Sequence, residues 1–482
     1  MRTNLTGNTV RRRGPCRPGV VLAAGLALFA TLAAFVVLFL GAGVAGAATP
    51  RVWARQYDPT GGYDMWQAVA KGPSGTVYVA GWRNAMTANQ RLMVAKYTSS
   101  GRRVWARSFA GRSGASAVGI AVDARGRAYV LADEWYPGSV QYIHVCVLKL
   151  ASRTGKRVWV ARFAARQDGS DVPYGMALGP KGAVYVAGST SNPDSGLDAL
   201  LVKFVDKGSR AARAWVRTYR NPSAPEDHNG DEGRRVVVDG AGRVYWAGST
   251  NQGDGHVVTF VRRVKVATGR PVWTRKVWTD PTNDLLCRDM APYPGGGVVT
   301  SATRSSTTAT GTGVFVARYS ADGAKVFGRL LDTADGELAA DVDVGKSGDI
   351  AIAGSLTDAT THLHSAWVVH GNGHFGARWQ ATYDSPYAGE PADFYSVVIG
   401  SNGAVYCGGS STTGFITGRD FAVVKYSASG VLRWATAYDD RDANKADSCS
   451  SLVYIGGSRP GVYGAGHSDA GTGEGVLVKY KR

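Results

Sequence analysis

The chain has 482 residues, 44% hydrophobic and 19% charged, with 64 Gly and 13 Trp, a balance that excludes a disordered or collagen-like polymer and suits a globular chain with many tight turns. Lys and Arg number 55 against 37 Asp and Glu, for a formal net charge of +18, an excess that needs a location before it implies a partner. Five cysteines are too few for a disulfide scaffold at this length.

Residues 1–48 read as an export segment. Arg2, Arg11, Arg12, Arg13 and Arg17 precede an apolar run from Val20 to Leu40, and Ala45-Gly46-Ala47 supplies a small-residue cleavage site. Left uncleaved, the run is long enough to anchor the chain in a bilayer with its basic flank inside. Both outcomes predict a secreted or extracytoplasmic protein. The consecutive arginines lack the apolar residues of a twin-arginine signal, and Cys16 lies before the apolar run, which argues against a lipoprotein anchor.

From residue 49 onward one phrase recurs. "GTVYVAG" starts at Gly75, "GRAYVLA" at Gly126, "GAVYVAG" at Gly182, "GRVYWAG" at Gly242 and "GAVYCGG" at Gly403, with degenerate copies from Gly296, Gly348 and Gly461. The tyrosine or its equivalent falls at 78, 129, 185, 245, 299, 351, 406 and 463, a mean spacing of 55 residues, which marks a repeat architecture. A short apolar run precedes each copy, a strand ending in a basic residue follows it, and a strand centred on Trp comes last, at Trp53, Trp105, Trp159, Trp215, Trp273, Trp379 and Trp434. Four short strands per unit, bounded by Gly, Ser, Asp and Asn turns, predict an all-β fold: one β-propeller of eight four-stranded blades over residues 49–482, with seven blades as the alternative. The last unit stops at "GVLVKYKR" without a Trp strand, and "PRVWARQYD" at the start is a Trp strand without a unit. The two fragments are therefore expected to complete one blade and close the ring.

The stretch "YGMALGPKGAVYVAGSTSNPDSGLDALLVKF" resembles the SBBP β-propeller repeat of exported bacterial proteins, and the resemblance extends over nearly the whole chain after residue 48. It implies a propeller scaffold and no shared catalytic residue. The family's name refers to seven blades, from which a count of eight departs.

Each third strand ends in a basic residue: Lys96, Lys149, Lys203, Arg263, Arg318, His370, Lys425 and Lys479. Such a ring could hold an anion, but the spacing to the following aromatic residue puts the two opposite each other across a hairpin, a structural use of the charge. Further basic residues gather in these hairpins and acids in the connections between blades, so a disc with a basic and a more acidic face is expected. The inter-blade connections differ in length and content while the strands repeat, and variable loops on a rigid repeat are where binding resides. The candidate binding residues there are Trp66, Tyr63, Tyr174, Tyr387, Asp227 and Asp231, with the aromatics suited to stacking on sugar rings. Cys407 and Cys449 fall in adjacent blades and are the candidate disulfide.

"EDHNGDEG" carries Asp227, Asn229 and Asp231 at alternate positions, but lacks the sixth-position glycine and twelfth-position glutamate of a calcium loop. No metal site is therefore expected, and calcium stays the one open cofactor. His362 and His364 lie too far along blade six from His370 and His374 to share a zinc. Neither G-x-S-x-G nor H-E-x-x-H occurs. "ATGRPVW" and "RTGKRVW" are similar to the docking phrase of quinone-dependent dehydrogenases, which leaves that class and a carbohydrate-active lyase or hydrolase as alternatives. The reading favoured by the sequence is an exported, non-catalytic, monomeric scaffold that binds a polysaccharide or an envelope protein. Basic hairpins without interleaved aromatics do not point to nucleic acid.

Overall fold

The computed structural model describes residues 50–482 apart from connections at 59–61, 85–89, 137–141, 194–195, 222–229, 254–255, 278–282, 307–311, 332–335, 359, 415–417, 439–445, 459 and 469–472. The export segment and Asp227 lie outside the described residues. The described residues form eight four-stranded antiparallel sheets, each from consecutive strands except one. Blades one to seven span residues 65–110, 115–163, 171–219, 232–276, 283–331, 336–383 and 392–438. In blade eight, Arg51–Tyr57 forms the outer strand beside Glu474–Lys481, with Gly461–Ser468 and Ser448–Ile455 inside it. The ring thus closes as the two chain ends require, with eight blades rather than seven.

Neighbouring first strands pack on one another all the way round, from blade one through to blade eight and back, which makes them the inner strands of the ring. The second and third strands have a blade against each face, so they read as unbroken apolar runs instead of alternating ones: Val77–Ala80 and Leu92–Ala95 are all fully or almost fully buried. Outer strands are more exposed, as in Arg103–Ala110, where Trp105 is the one buried residue.

A β-bulge interrupts the first strand of every blade at the same place. Pairing skips Gln67, Val118, Tyr174, Arg234, Arg288, Ala340, Tyr395 and Ser450. The bulge explains the last glycine of the repeated phrase. A Cβ on Gly81 would stand 1.8 Å from the carbonyl oxygen of Met65, and one on Gly354 only 1.7 Å from that of Leu338. The extra residue pushes the first strand's carbonyl into that space, and only glycine leaves room for it.

Candidate functional site

The ring of basic residues is a set of blade-to-blade clamps. In each blade the basic residue lies directly opposite the aromatic residue of the outer strand, from Lys96 with Trp105 to Lys479 with Trp53. In blades one, three, four and eight both side chains then reach one carbonyl in the next blade's hairpin. Lys203 Nζ and Trp215 Nε1 donate to the oxygen of Val266 at 2.8 and 3.2 Å, and an Arg263 guanidinium nitrogen and Trp273 Nε1 donate to that of Ala321 at 2.8 and 3.1 Å. Lys479 and Trp53 do the same with Ser99, across the seam where the chain ends meet. In blade two a carboxylate takes the place of the carbonyl: Lys149 and Trp159 both donate to Asp206, at 2.5 and 3.1 Å. Blade six has His370 instead, its ring stacked on Trp379 at 5.2 Å and its proton affinity lowered by burial. The hairpin glycine also packs on the preceding blade's Trp: a Cβ on Gly269, at φ 70°, would lie 2.7 Å from the Trp215 ring. The Thr-Gly-x-x-x-Trp phrase is accounted for by this turn.

The acids between blades are largely committed to the fold. Asp64, Asp171 and Asp231 are buried at the entry to their inner strands. Asp64 accepts the Asn84 N–H at 3.0 Å, Asp231 the Asn251 N–H at 2.9 Å, and Asp171 the Ala165 N–H and the Thr190 hydroxyl at 2.9 and 2.6 Å. Burial pushes the Asp64 carboxyl up to about 6 and raises that of Asp231. Asp393 is paired with Arg419 and Asp168 with Arg166. The expected acidic field is thus replaced, where the face is described, by buried loop caps and ion pairs, because the bent connections leave N–H groups that carboxylates satisfy.

The predicted aromatic residues do not converge. Trp66 is fully buried, stacked on Tyr57 at 5.6 Å and pressed against Gly475 of blade eight, so it is a seam residue and cannot stack on a ligand. Tyr63 is exposed but packs its ring on His467 at 5.9 Å. Tyr387 is half-buried, its N–H bonded to the Thr412 carbonyl at 3.1 Å. Tyr174 alone occupies a bulge position.

That bulge ring is the surface that sequence reasoning missed. Its residues belong to the inner strands, so they line the axis towards the inter-blade face. The Arg234 guanidinium lies 4.6 Å from the centroid of the Tyr174 ring, and Glu232 takes a bond from Arg234 at 2.8 Å and from the Tyr174 hydroxyl at 3.4 Å. Arg288, in the next blade, donates to the neutral Thr303 hydroxyl at 3.0 Å; burial and the nearby Arg234 charge lower its proton affinity. Tyr395, 38% exposed, stands four blades from Tyr174, and its hydroxyl meets that of Ser410 at 3.0 Å. Blades three and seven face each other across an eight-bladed ring.

One residue further along, the inner strands are laced together. Arg235 bonds to Asp289 and donates to the Tyr174 carbonyl at 3.1 Å. Asp289 and Asp341 both accept the Val342 N–H, at 3.2 and 3.0 Å, and Asp341 also takes the Ser396 hydroxyl and the Val397 N–H at 3.0 and 2.8 Å. Ser396 in turn accepts the Leu452 N–H at 3.1 Å. Burial and the neighbouring Asp289 charge drive the Asp341 carboxyl well above its ordinary range; burial pushes Asp289 the same way, but the Arg235 charge and hydrogen bonds from Arg235, Asp341 and the Met290 backbone together hold it below. All four carboxyl oxygens are engaged, so the pair ties blades together and is not poised for acid–base work on a substrate.

Cys407 and Cys449 are free, buried thiols, as are Cys146 and Cys287. Cys407 packs with blade six, next to Ala353 and Val368, whereas Cys449 packs on the blade-eight side of blade seven, where a Cβ on Gly408 would touch its sulfur at 2.7 Å. Successive residues of a strand point to opposite faces, so Cys407 faces away from Cys449 and the expected disulfide does not form. Among the described residues no group of three His, Cys, Asp or Glu is placed to hold a metal ion.

No family model matches the chain, and no curated protein does. Solved structures are similar in fold. Quinohemoprotein alcohol dehydrogenase ADHIIG from Pseudomonas putida HK5 aligns at a TM-score of 0.53 and 13% identity, over 89% of this chain and 76% of that one. Quinohemoprotein alcohol dehydrogenase from Comamonas testosteroni gives 0.51 and 12%, with the same coverage of 89% and 76%. BamB from Moraxella catarrhalis gives 0.46 and 13%, over 90% of this chain and all of that one. At such identity the likeness extends to the β-propeller architecture alone.

Proposed function

We propose that this chain is an exported, non-catalytic β-propeller scaffold that binds a partner where the central channel opens on the inter-blade face, with an acidic polysaccharide as the ligand class. Export rests on the basic and apolar pattern of residues 1–48, and the resemblance to SBBP repeats agrees with it. One observation carries the binding reading. At the clamp position all eight blades set Lys, Arg or His opposite an aromatic ring, whereas at the bulge position the same blades present Gln67, Val118, Tyr174, Arg234, Arg288, Ala340, Tyr395 and Ser450. The clamp position keeps its residue types, and the bulge position has diversified. Two arginines suit carboxylate or sulfate groups and two tyrosines suit sugar faces. Screening the purified ring against an array of neutral and acidic envelope glycans tests this directly. Selective retention of acidic glycans is expected, lost in Arg288→Ala and in Tyr395→Ala; retention that neither substitution changes would refute the site.

A further inference from the structure

The outer strands carry a one-sided charge that the clamps do not explain. Six of them have two Lys or Arg, the other two have one, and none has an Asp or Glu. Exposed large apolar residues collect at the same edge. Val104, Val272, Val431 and Leu432 lie where an outer strand leaves its hairpin, Val266 lies in the hairpin of blade four and Val52 near the start of the closing strand, with Val431 at 51% and Val52 at 48% exposure. Scattered surface valines need no explanation, but these alternate with cations along one rim. The densest sector spans blades seven, eight and one, with Leu432 and Arg433, Arg51 and Val52, and Arg102 and Val104 all exposed. Its hairpins, 427–431 and 98–102, and the terminal Lys481-Arg482 contain no acid.

The chain also enters the ring in this sector, at Pro50, whose carbonyl accepts the Lys481 N–H at 2.8 Å. The sequence places its apolar run, Val20 to Leu40, upstream of that point with only nine residues between. We infer that this sector docks on the surface of an anionic lipid bilayer: the arginines meet lipid headgroups while the valines and Leu432 enter the interface, leaving the channel rim on the opposite face free. A soluble polyanion would be served by the arginines alone and would not use the apolar residues between them. The inference does not depend on what the channel binds.

The test uses the chain from Thr49 onward, which keeps all eight blades and the closing strand, so that the upstream apolar run cannot anchor it. Co-sedimentation with phosphatidylglycerol-containing vesicles is expected, weakening with added salt, and none with phosphatidylcholine alone. Arg102→Glu with Arg433→Glu should lower the partition coefficient by roughly tenfold or more, and Val104→Asp with Leu432→Asp should lower it comparably. Arg91→Glu, an exposed position at the opposite end of blade one, should leave it unchanged. Melting temperatures of the variants establish that each is folded. Equal partition into both vesicle types, or into neither, would overturn the inference. So would full displacement by soluble polyphosphate together with unchanged binding by the Val104→Asp, Leu432→Asp variant, which would identify a polymer partner instead.

Discussion

Trp66 shows how a residue type misleads without its environment. An aromatic residue at a variable connection suggests a ligand platform, yet this indole is fully buried between blades one and eight. Trp66→Ala should lower stability by about 3–5 kcal/mol, measured by denaturant unfolding, as expected for a large buried side chain. Asp64 nearby makes a pH-dependent contribution. Its folded carboxyl is raised to about 6 from an ordinary 3.8, burial being the main cause. A carboxyl whose folded value is raised stabilises when protonated: the contribution is fully present below the unfolded value and is lost as pH rises through about 6. Asp64→Asn, which keeps the acceptor for the Asn84 N–H, should therefore raise stability at neutral pH by on the order of 2 kcal/mol and lose that advantage in mild acid. Melting curves across this range check it; an equal gain at both ends would rule out the buried charge as the cause.

At the scale of strands and blades, much of the fold was legible. The spacing from Lys425 to Trp434 and from Lys96 to Trp105 predicted direct cross-strand pairs, and the registers agree. Hairpin length and strand period leave few alternatives, so local pattern decides the register. That both partners would meet one carbonyl of the next blade was not legible, because the repeat hides which copies adjoin across a seam. The inner-strand bulges were equally invisible: an extra residue in a strand leaves no mark on a period-two pattern seven to ten residues long. Tyr174 was picked out as an aromatic residue, whereas Arg234, Arg288 and Tyr395 gain meaning only when eight bulges are superposed. Closure is the element-level claim most open to test. Deleting residues 50–58 removes the outer strand of blade eight with the Trp53 clamp and exposes the edge of Glu474–Lys481. Stability should fall by several kcal/mol, because closure couples the two ends of a one-dimensional array; an unchanged melting temperature would mean that the seam carries no load.

Taken as a whole, the molecule separates what repeats from what varies. Clamps, seam glycines and the inner-strand lacing through Arg235, Asp289, Asp341 and Ser396 hold the blades, while the bulge ring varies in residue type from blade to blade. The most direct measurement pairs ligand binding with melting in two sets of variants. Arg288→Ala and Tyr395→Ala alter the rim; Lys203→Met removes the charged half of one clamp and should cost about 1–3 kcal/mol. Binding of an acidic glycan should be lost in the rim variants at unchanged melting temperature, and kept in Lys203→Met below its lowered transition. Rim variants that bind as the unaltered protein does, or turnover of any glycan or alcohol that a single carboxylate substitution abolishes, would contradict the non-catalytic scaffold.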